Sequence, residues 1–594
     1  METKTAAPQV TTPGGGFLLG PTAAETVFTP EDLTEEQRLV QSTVAQFVEQ
    51  EVLPHTRQLE QHDWDLTRRL IRRAGELGFL GSDIPEVYGG AGLDKITSLV
   101  VKDAAGGGMS FSVSIGAHIG IGTLPILFFG TEAQKRKYLP KLAVGELIGA
   151  YALTEPTSGS DAMSIRTRAI RSADGSHFVL NGAKQFISNG SFADLFITYA
   201  KVDGEHHSCF IVDRRTPGLS VGPEEHKMGI KGSSTAPVIY ENVQVPAETL
   251  LGEIGLGHKI AFNTLNMGRF ALAAGVTGAA RIALRETLNY AKERRQFGKA
   301  LVEFGLIKQK LARMATAIFV SESMVYRSGG LISDVLGAAH QDTGQVIAAL
   351  EEYAIECSIN KVFASEMLDF VVDEMVQIYG GYGFIEEYPA AQAYRDARIN
   401  RIFEGTNEIN RLLIPAMLFR RAMKGRLNLL AATQKVAAEM LAPAVGGNGE
   451  MLGPLADERR LIDAARRAVL FASGAAAQKY LTDLENQQEI LGWIADLAID
   501  VFAAESAVLR AAKTAARGGP SAALQAAMVR LHLDEALPRM EATARRILAA
   551  TEEGDTLRTM LAGLRRFLKV PSVNAAALSR QVAGAVIDAG RYVA

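Results

Sequence analysis

Six short stretches of this chain hold residue types that could do chemistry. In RIFEGTNEINR (401–411), Glu404 lies just before a helix that Thr406 can cap, so a turn can project its carboxylate into a cavity. Such a carboxylate can take a proton, and does so best when its pKa approaches operating pH, roughly 6–7 for a tuned glutamate. An apolar surrounding pushes it that way by desolvation; on an exposed helix start it would serve only the macrodipole. YALTEPTSGSD (151–161) gathers hydroxyls and Gly159 where a strand meets a loop, either as donors to a ligand or as a plain turn. KQFISNG (184–190) reads as a strand ending in an Asn189–Gly190 turn. In ERRQFGK (293–299), the planar cation of Arg294 suits a diphosphate, or simply a helix end. QIYGGYGF (377–384) carries Gly380 and Gly381, which let a ligand approach the backbone closely. NMGR places Asn266 and Arg269 on one helix, as substrate contacts or as an ordinary surface pair.

Two other groups invite a reading and do not earn it. His206, His207 and Cys209 lack a second cluster at zinc spacing, so a polar hairpin end leading into SCFIVD is expected and no metal site. GGGMS, Gly116, Gly120 and Gly122 do not follow the dinucleotide fingerprint on a βαβ unit; on a helix beside a pocket they would leave room instead.

These segments need elements to position them. The chain has 594 residues, 47% apolar and 22% charged, so several folded domains are expected and disorder is not. Its net charge of −4 gives no basic field for nucleic acid. Two cysteines, Cys209 and Cys357, cannot build a disulfide framework and fit a reducing compartment. No export signal is evident and no uninterrupted apolar run of spanning length is expected, so the reading is cytoplasmic, with at most a peripheral place at the inner face of a membrane. Residues 1–27, rich in Pro, Gly and Thr, read as a flexible arm whose Phe17, Leu18 and Leu19 could dock on a neighbour. Helical spacing runs over 28–151, beginning with Leu39, Val40, Val44, Phe47 and Val48. Over 152–256 short Val-, Ile-, Phe- and Tyr-rich runs alternate with turn residues and predict a small β domain. Long helical periods return over 257–424, and an Ala- and Leu-rich helical segment fills 425–594 after the loop or linker APAVGGNGEMLGPLADE.

The motifs, their order and this layout resemble the acyl-CoA dehydrogenase family over about residues 30–424, and the extra segment makes the chain most similar to the very-long-chain branch. The resemblance implies an α+β fold: an N-terminal helical domain, a small β domain, a four-helix-bundle catalytic domain and an appended helical domain. It implies FAD-dependent oxidation of a long or very long fatty acyl-CoA to the trans-2-enoyl-CoA in β-oxidation, with electrons passed to an electron-transferring flavoprotein. An acyl-CoA oxidase, or an assembly scaffold with residual activity, is the alternative. The α-proton needs a base, and the β-hydrogen leaves as hydride to a sink that a flavin supplies. By resemblance Glu404 is the base. Tyr151, Leu153, Thr154, Gly159, Ser160, Phe186, Ile187, Ser188, Thr406 and Glu408 contact FAD, while Arg294, Gln296, Phe297, Gln377, Gly380 and Gly381 do so from a second subunit. Ser160, Asn266, Arg269 and Gly405 contact substrate. Phe186 stands where many relatives have Trp, which keeps an apolar wall and drops an N–H donor. Phe304–Gly305 replaces the His-Gln pair of medium-chain relatives. A homodimer is expected, as is weak membrane-surface contact near the linker.

Overall fold

The computed structural model describes residues 12–441, 452–569 and 571–594. Residues 1–11 of the arm, and most of the linker, lie outside them. The helical N-terminal layer contains α1 (Glu35–Phe47), α2 (Trp64–Glu76), α3 (Lys95–Ala105), α4 (Ser110–Ala117), α5 (Leu124–Phe129) and α6 (Glu132–Ala143). Reciprocal capping starts α1 at Thr34/Gln37 and α6 at Thr131/Gln134, and Asp94 caps α3. The stretch Ser110–Phe129 is in fact long and apolar enough to cross a membrane, against the expectation, but 78% of it is buried in this fold. A π-helical turn at His118–Gly122 divides it, and Gly122 lets it press on Gly149.

The β domain comprises β1 (Gly149–Ala152), β2 (Arg168–Arg171), β3 (His177–Ser188), β4 (Leu195–Val202), β5 (His206–Asp213), β6 (Leu219–Val221), β7 (Thr235–Pro246) and β8 (Leu250–Leu251). Its strand order is β6-β7-β3-β2-β4-β5-β8, with β1 parallel to β4. The sheet therefore begins at Gly149, three residues before the expected boundary, because Gly149–Ala152 pairs with Leu195–Thr198. One irregularity matters for the site. The register of β3 on β7 shifts between Lys184 and Ile187, and Phe186 in that shift has φ 58°. A bulge re-aims the side chain it contains, and here it turns an aromatic ring outward.

Four long helices form the bundle: α7 (Gly257–Glu293), α8 (Gly305–Leu336), α9 (Ala354–Tyr379) and, after the short α10 (Pro389–Ala397), α11 (Asn407–Met423). The appended domain adds α12 (Ala456–Tyr480), α13 (Gln488–Ala516), α14 (Ala522–Thr551) and α15 (Ala575–Ala589). Bundle and appended helices share one hydrophobic core, running from Phe319 and Val362 to Phe502 and Val582.

The arm is not free over 12–27; that expectation is corrected. Phe17 is buried and packs edge-on against Phe502 of the same chain, with ring centroids 5.0 Å apart. Gly14 N and Gly15 N donate to Glu352 and Glu356. Behind the arm, the buried Glu505 of α13 accepts from Arg327 of α8 at 2.8 Å and Arg466 of α12 at 2.6 Å, and Arg466 also donates to Phe17 O. A sequence poor in periodicity can still be ordered when its backbone groups find buried partners. The arm thus straps the appended domain to the bundle. Replacing Glu505→Gln leaves the buried Arg327 guanidinium without its carboxylate and the buried Arg466 with Asp463 alone. We expect a loss of about 3–5 kcal/mol, measured by chemical denaturation followed through the fluorescence of Trp493 in α13.

Candidate active site

Two cavities meet at Glu404. The first, about 410 Å³, is mainly apolar and lies between the N-terminal layer and the bundle, walled by Phe111, Ile115, Val276, Leu368 and Val372. Gly116 and Gly120 line it with nothing within 4 Å of where a Cβ would stand, so they do leave room. Gly122, Gly106 and Gly107 do not: a Cβ there would strike backbone or Ile282, so these glycines serve close packing. The second cavity, about 1520 Å³, lies between the β domain and the bundle. Ile121, Ser188, Ile230, Phe403 and Glu404 border both.

Glu404 sits in a left-handed turn, with φ 57° followed by 77° at Gly405. A glutamate accepts that conformation only when its surroundings over-determine it. They do so from three helices. Arg269 of α7 donates Nε to Glu404 O at 3.3 Å and NH1 to Asn266 Oδ1 at 3.0 Å. Lys361 of α9 donates Nζ to Gly405 O at 2.8 Å and to Asn407 Oδ1 at 2.7 Å. Asn410 donates to Gly405 O at 2.8 Å, and Thr406 caps α11 by accepting from Ile409 N. The carboxylate has no such support: its buried Oε2 has no hydrogen-bond partner. Burial pushes Glu404 up to about 7, against the opposing charges of Arg269 and Lys361. Burial also pushes Lys361 down to about 7. A partly buried carboxylate whose Oε2 has no partner, poised near neutrality, can accept a proton from a carbon acid placed at the junction.

Most of the expected residues converge. Tyr151, Leu153, Thr154, Gly159, Ser160, Phe186, Ile187, Ser188, Asn266, Arg269, Gly405 and Thr406 all line the second cavity. Glu408 is absent from that lining; it is exposed at the start of α11, with its carboxylate beside the Thr406 that lines the cavity. Arg294, Gln296, Phe297, Gln377, Gly380 and Gly381 are also absent from this lining. They occupy a solvent face where Arg294 stands over the Tyr382 ring at 5.3 Å and Tyr290 stacks on Tyr379 at 4.0 Å. Their assigned place was on a second subunit's cofactor, so a single chain keeps them apart from its own cavity.

Three supports escaped sequence reasoning. Lys361 lies 44 residues before the carbonyl it holds. Lys184 is fully buried and pairs with Glu155 at 2.7 Å while donating to Leu153 O, so it fixes the TEP segment to β3. Gly268 faces the Glu404 carboxylate so closely that a Cβ would overlap it.

Comparison with known proteins agrees with this geometry. Models of the N-terminal, middle and C-terminal domains of acyl-CoA dehydrogenase match residues 34–146, 150–243 and 255–419, and a further acyl-CoA dehydrogenase C-terminal domain matches 464–566. The chain belongs to the acyl-CoA dehydrogenase family. It is 48% identical over 586 residues to a probable acyl-CoA dehydrogenase of Bacillus subtilis (strain 168), covering 98% of each chain. It is 37% identical over 542 residues to the mitochondrial very long-chain specific acyl-CoA dehydrogenase of Bos taurus, covering 85% of this chain and 80% of that one. It also matches the crystal structure of an acyl-CoA dehydrogenase complexed with FAD from Bacillus anthracis, at TM-score 0.95 and 47% identity over 98% of this chain and 100% of that one.

The protein is therefore an FAD-dependent acyl-CoA dehydrogenase. Its own residues fit the cofactor. The bulge leaves Phe186 61% exposed as an aromatic wall of the second cavity, beside Ser188. Gly159 has no atom within 4 Å of its absent Cβ, and the buried Tyr151 hydroxyl lacks a partner. These surfaces would hold a flavin against Glu404.

The close approach at Gly268 generates a prediction. Gly268→Ala should displace the Glu404 carboxylate without unfolding the chain, since the clash is with the end of a flexible side chain. Misplacing a reacting group by about 1 Å can cost about 10²-fold. Stopped-flow reduction of the flavin by substrate should slow by about that factor, with FAD content and thermal unfolding unchanged.

Proposed function

We propose that this enzyme oxidises long or very long fatty acyl-CoA thioesters to trans-2-enoyl-CoA, with Glu404 as the base, and hands electrons to an electron-transferring flavoprotein. The observation that carries this reading is the apolar cavity opening directly onto the unbonded Glu404 carboxylate. A fatty tail in that cavity brings Cα to the junction, where Glu404 takes the proton and the electron pair of the broken C–H bond becomes the new C=C bond. Bound FAD supplies the two-electron acceptor for the β-hydrogen, a capacity no side chain has. Arg269, Lys361 and Asn410 hold the turn, and the apolar wall keeps water from the carboxylate. The side of the cavity bordered by Phe186 and Ser188 is the flavin side, and Asn266, Arg269 and Gly405 lie where the thioester would stand.

The open positions at Gly116 and Gly120 support a long chain, as does the likeness to the very-long-chain branch. A homodimer is part of the proposal. Phe297 and Phe384 are 93% and 86% exposed beside the RRQFG and GGYGF segments, and large exposed aromatics suit an interface. Arg294 would then reach a second copy's FAD.

The direct test is turnover of saturated acyl-CoAs of graded length with an artificial acceptor. Long chains should be preferred, and a short-chain optimum would sink the substrate class. Gly120→Leu should exclude about four methylenes; at about 0.8 kcal/mol each, activity on the longest substrate should fall by about 10²-fold and the optimum should shorten. Glu404→Gln should keep FAD and slow flavin reduction by about 10²–10⁴-fold. Because the base works deprotonated, kcat/KM should rise with pH through about 7 and lose that limb in the variant. An unchanged reduction rate would remove Glu404 from the role.

A further inference from the structure

Lys361 supports the Glu404 turn from α9, and the groups that fix Lys361 can be followed outward. Its ammonium donates to Gly405 O and to Asn407 Oδ1. An amide carries an acceptor on one side and a donor on the other, so with its oxygen on Lys361 the nitrogen of Asn407 needs an acceptor. Nδ2 finds two, Glu366 Oε1 and Ser365 Oγ, each at 3.0 Å. Turning that amide over would set an NH2 group against the buried ammonium and an oxygen against the carboxylate. Glu366 therefore decides which way Asn407 points.

Glu366 is held in the same manner. Arg411 of α11 donates NH1 and NH2 to its two oxygens, at 2.7 and 3.0 Å, a paired contact that fixes the carboxylate plane. The guanidinium is a rigid fork, so aiming those two donors also aims Nε. Nε donates to Asp496 Oδ1 at 2.7 Å, and Asp496 belongs to α13 of the appended domain. An unbroken series of hydrogen bonds thus runs from Asp496 through Arg411, Glu366, Asn407 and Lys361 to Gly405 O. Neither Asp496 nor Arg411 lines either cavity. A second ion pair joins the same two domains and leads elsewhere. Arg313 of α8 meets Glu535 of α14 at 2.9 Å, and its other carboxylate partner is Glu374, which Lys310 also holds.

We propose that Asp496 is a positioning residue for the dehydrogenation: by fixing Arg411 it orders Glu366, Asn407 and Lys361, so the appended domain helps to hold the Glu404 turn. This rests on the reading of Glu404 as the base. No proton moves along the series, and each member only sets the direction of the next. Without Asp496 the guanidinium swings and the turn loosens, which misplaces the carboxylate for proton transfer. Neither cavity loses a lining group, so substrate and FAD still bind.

The test compares the FAD-loaded full chain with Asp496→Asn, Arg411→Gln, their double variant and Glu535→Gln, the control for loss of an inter-domain ion pair. Deuterium uptake by the peptide spanning 401–411 reports the turn, and stopped-flow flavin reduction over a range of palmitoyl-CoA concentrations reports the reaction. A partly exposed ion pair is worth a few-fold. Asp496→Asn should lower the limiting reduction rate about three- to fivefold and leave the half-saturating concentration within about twofold. Arg411→Gln also frees Glu366 and should lower the rate about tenfold. Adding Asp496→Asn to it should cost nothing more, because both act through one series. Uptake over 401–411 should rise in these variants, and Glu535→Gln should match the wild type in both measurements. Unchanged uptake in Asp496→Asn, equal effects from Glu535→Gln, or multiplied losses in the double variant would each overturn the proposal. So would an unchanged reduction rate in Asp496→Asn when Glu404→Gln is slow. Uptake does not depend on which group is the base: if it rises in Asp496→Asn while Glu404→Gln reduces flavin at the wild-type rate, the reading of Glu404 fails and the hold on the turn stands.

Discussion

A carboxylate that must be desolvated, left unbonded at Oε2 and held in a left-handed turn imposes most of what surrounds it. Desolvating Glu404 draws on a largely apolar cavity between the N-terminal layer and the bundle. Leaving Oε2 without a partner forbids the nearby cations from closing on it. Arg269 and Lys361 solve this by spending their donors on the backbone of the turn and on neighbouring amides. Their charges still temper the effect of burial, while their hydrogen bonds offset the strain at Glu404 and Gly405. Gly268 completes the arrangement by giving the carboxylate a helix surface with no side chain on it.

Charges farther from the site follow the opposite logic. Glu505 collects Arg327 and Arg466, and Arg510 bridges Glu31 and Glu322, all at direct ion-pair distance. Such pairs add little net stability over well-packed apolar groups, yet removing one partner is costly. They therefore fix which helix of the appended domain meets which helix of the bundle, and where the arm lies between them. The apolar contacts between Phe17 and Phe502 and the shared core supply the cohesion. The rigidity of the bundle behind α9 and α11 is what allows Lys361 to hold the turn.

The cavities divide binding along chemical lines. The first cavity is walled mainly by apolar side chains, and the second carries aromatic and hydroxyl groups. Binding energy from the distant ends of a long ligand can then position its reacting centre. Glu404 stands where the two cavities meet.

Sequence by itself determined what depends on neighbours in the chain. FEGT with its Thr406 cap, the Phe186 strand end, the order of helical and β segments and the family motifs all rest on local propensity and short spacing, and the structure keeps them. Tertiary packing decided the rest. Lys361, Gly268 and the Lys184–Glu155 pair become visible only when helices or strands far apart in sequence meet, because periodicity says which face is apolar and not what lies opposite. The arm looked free because its stabilising partners, Glu352, Glu356 and Phe502, are more than 300 residues away by chain. The junction at Glu404 is likewise a property of the cavities, and a cavity exists only once separate elements have enclosed it.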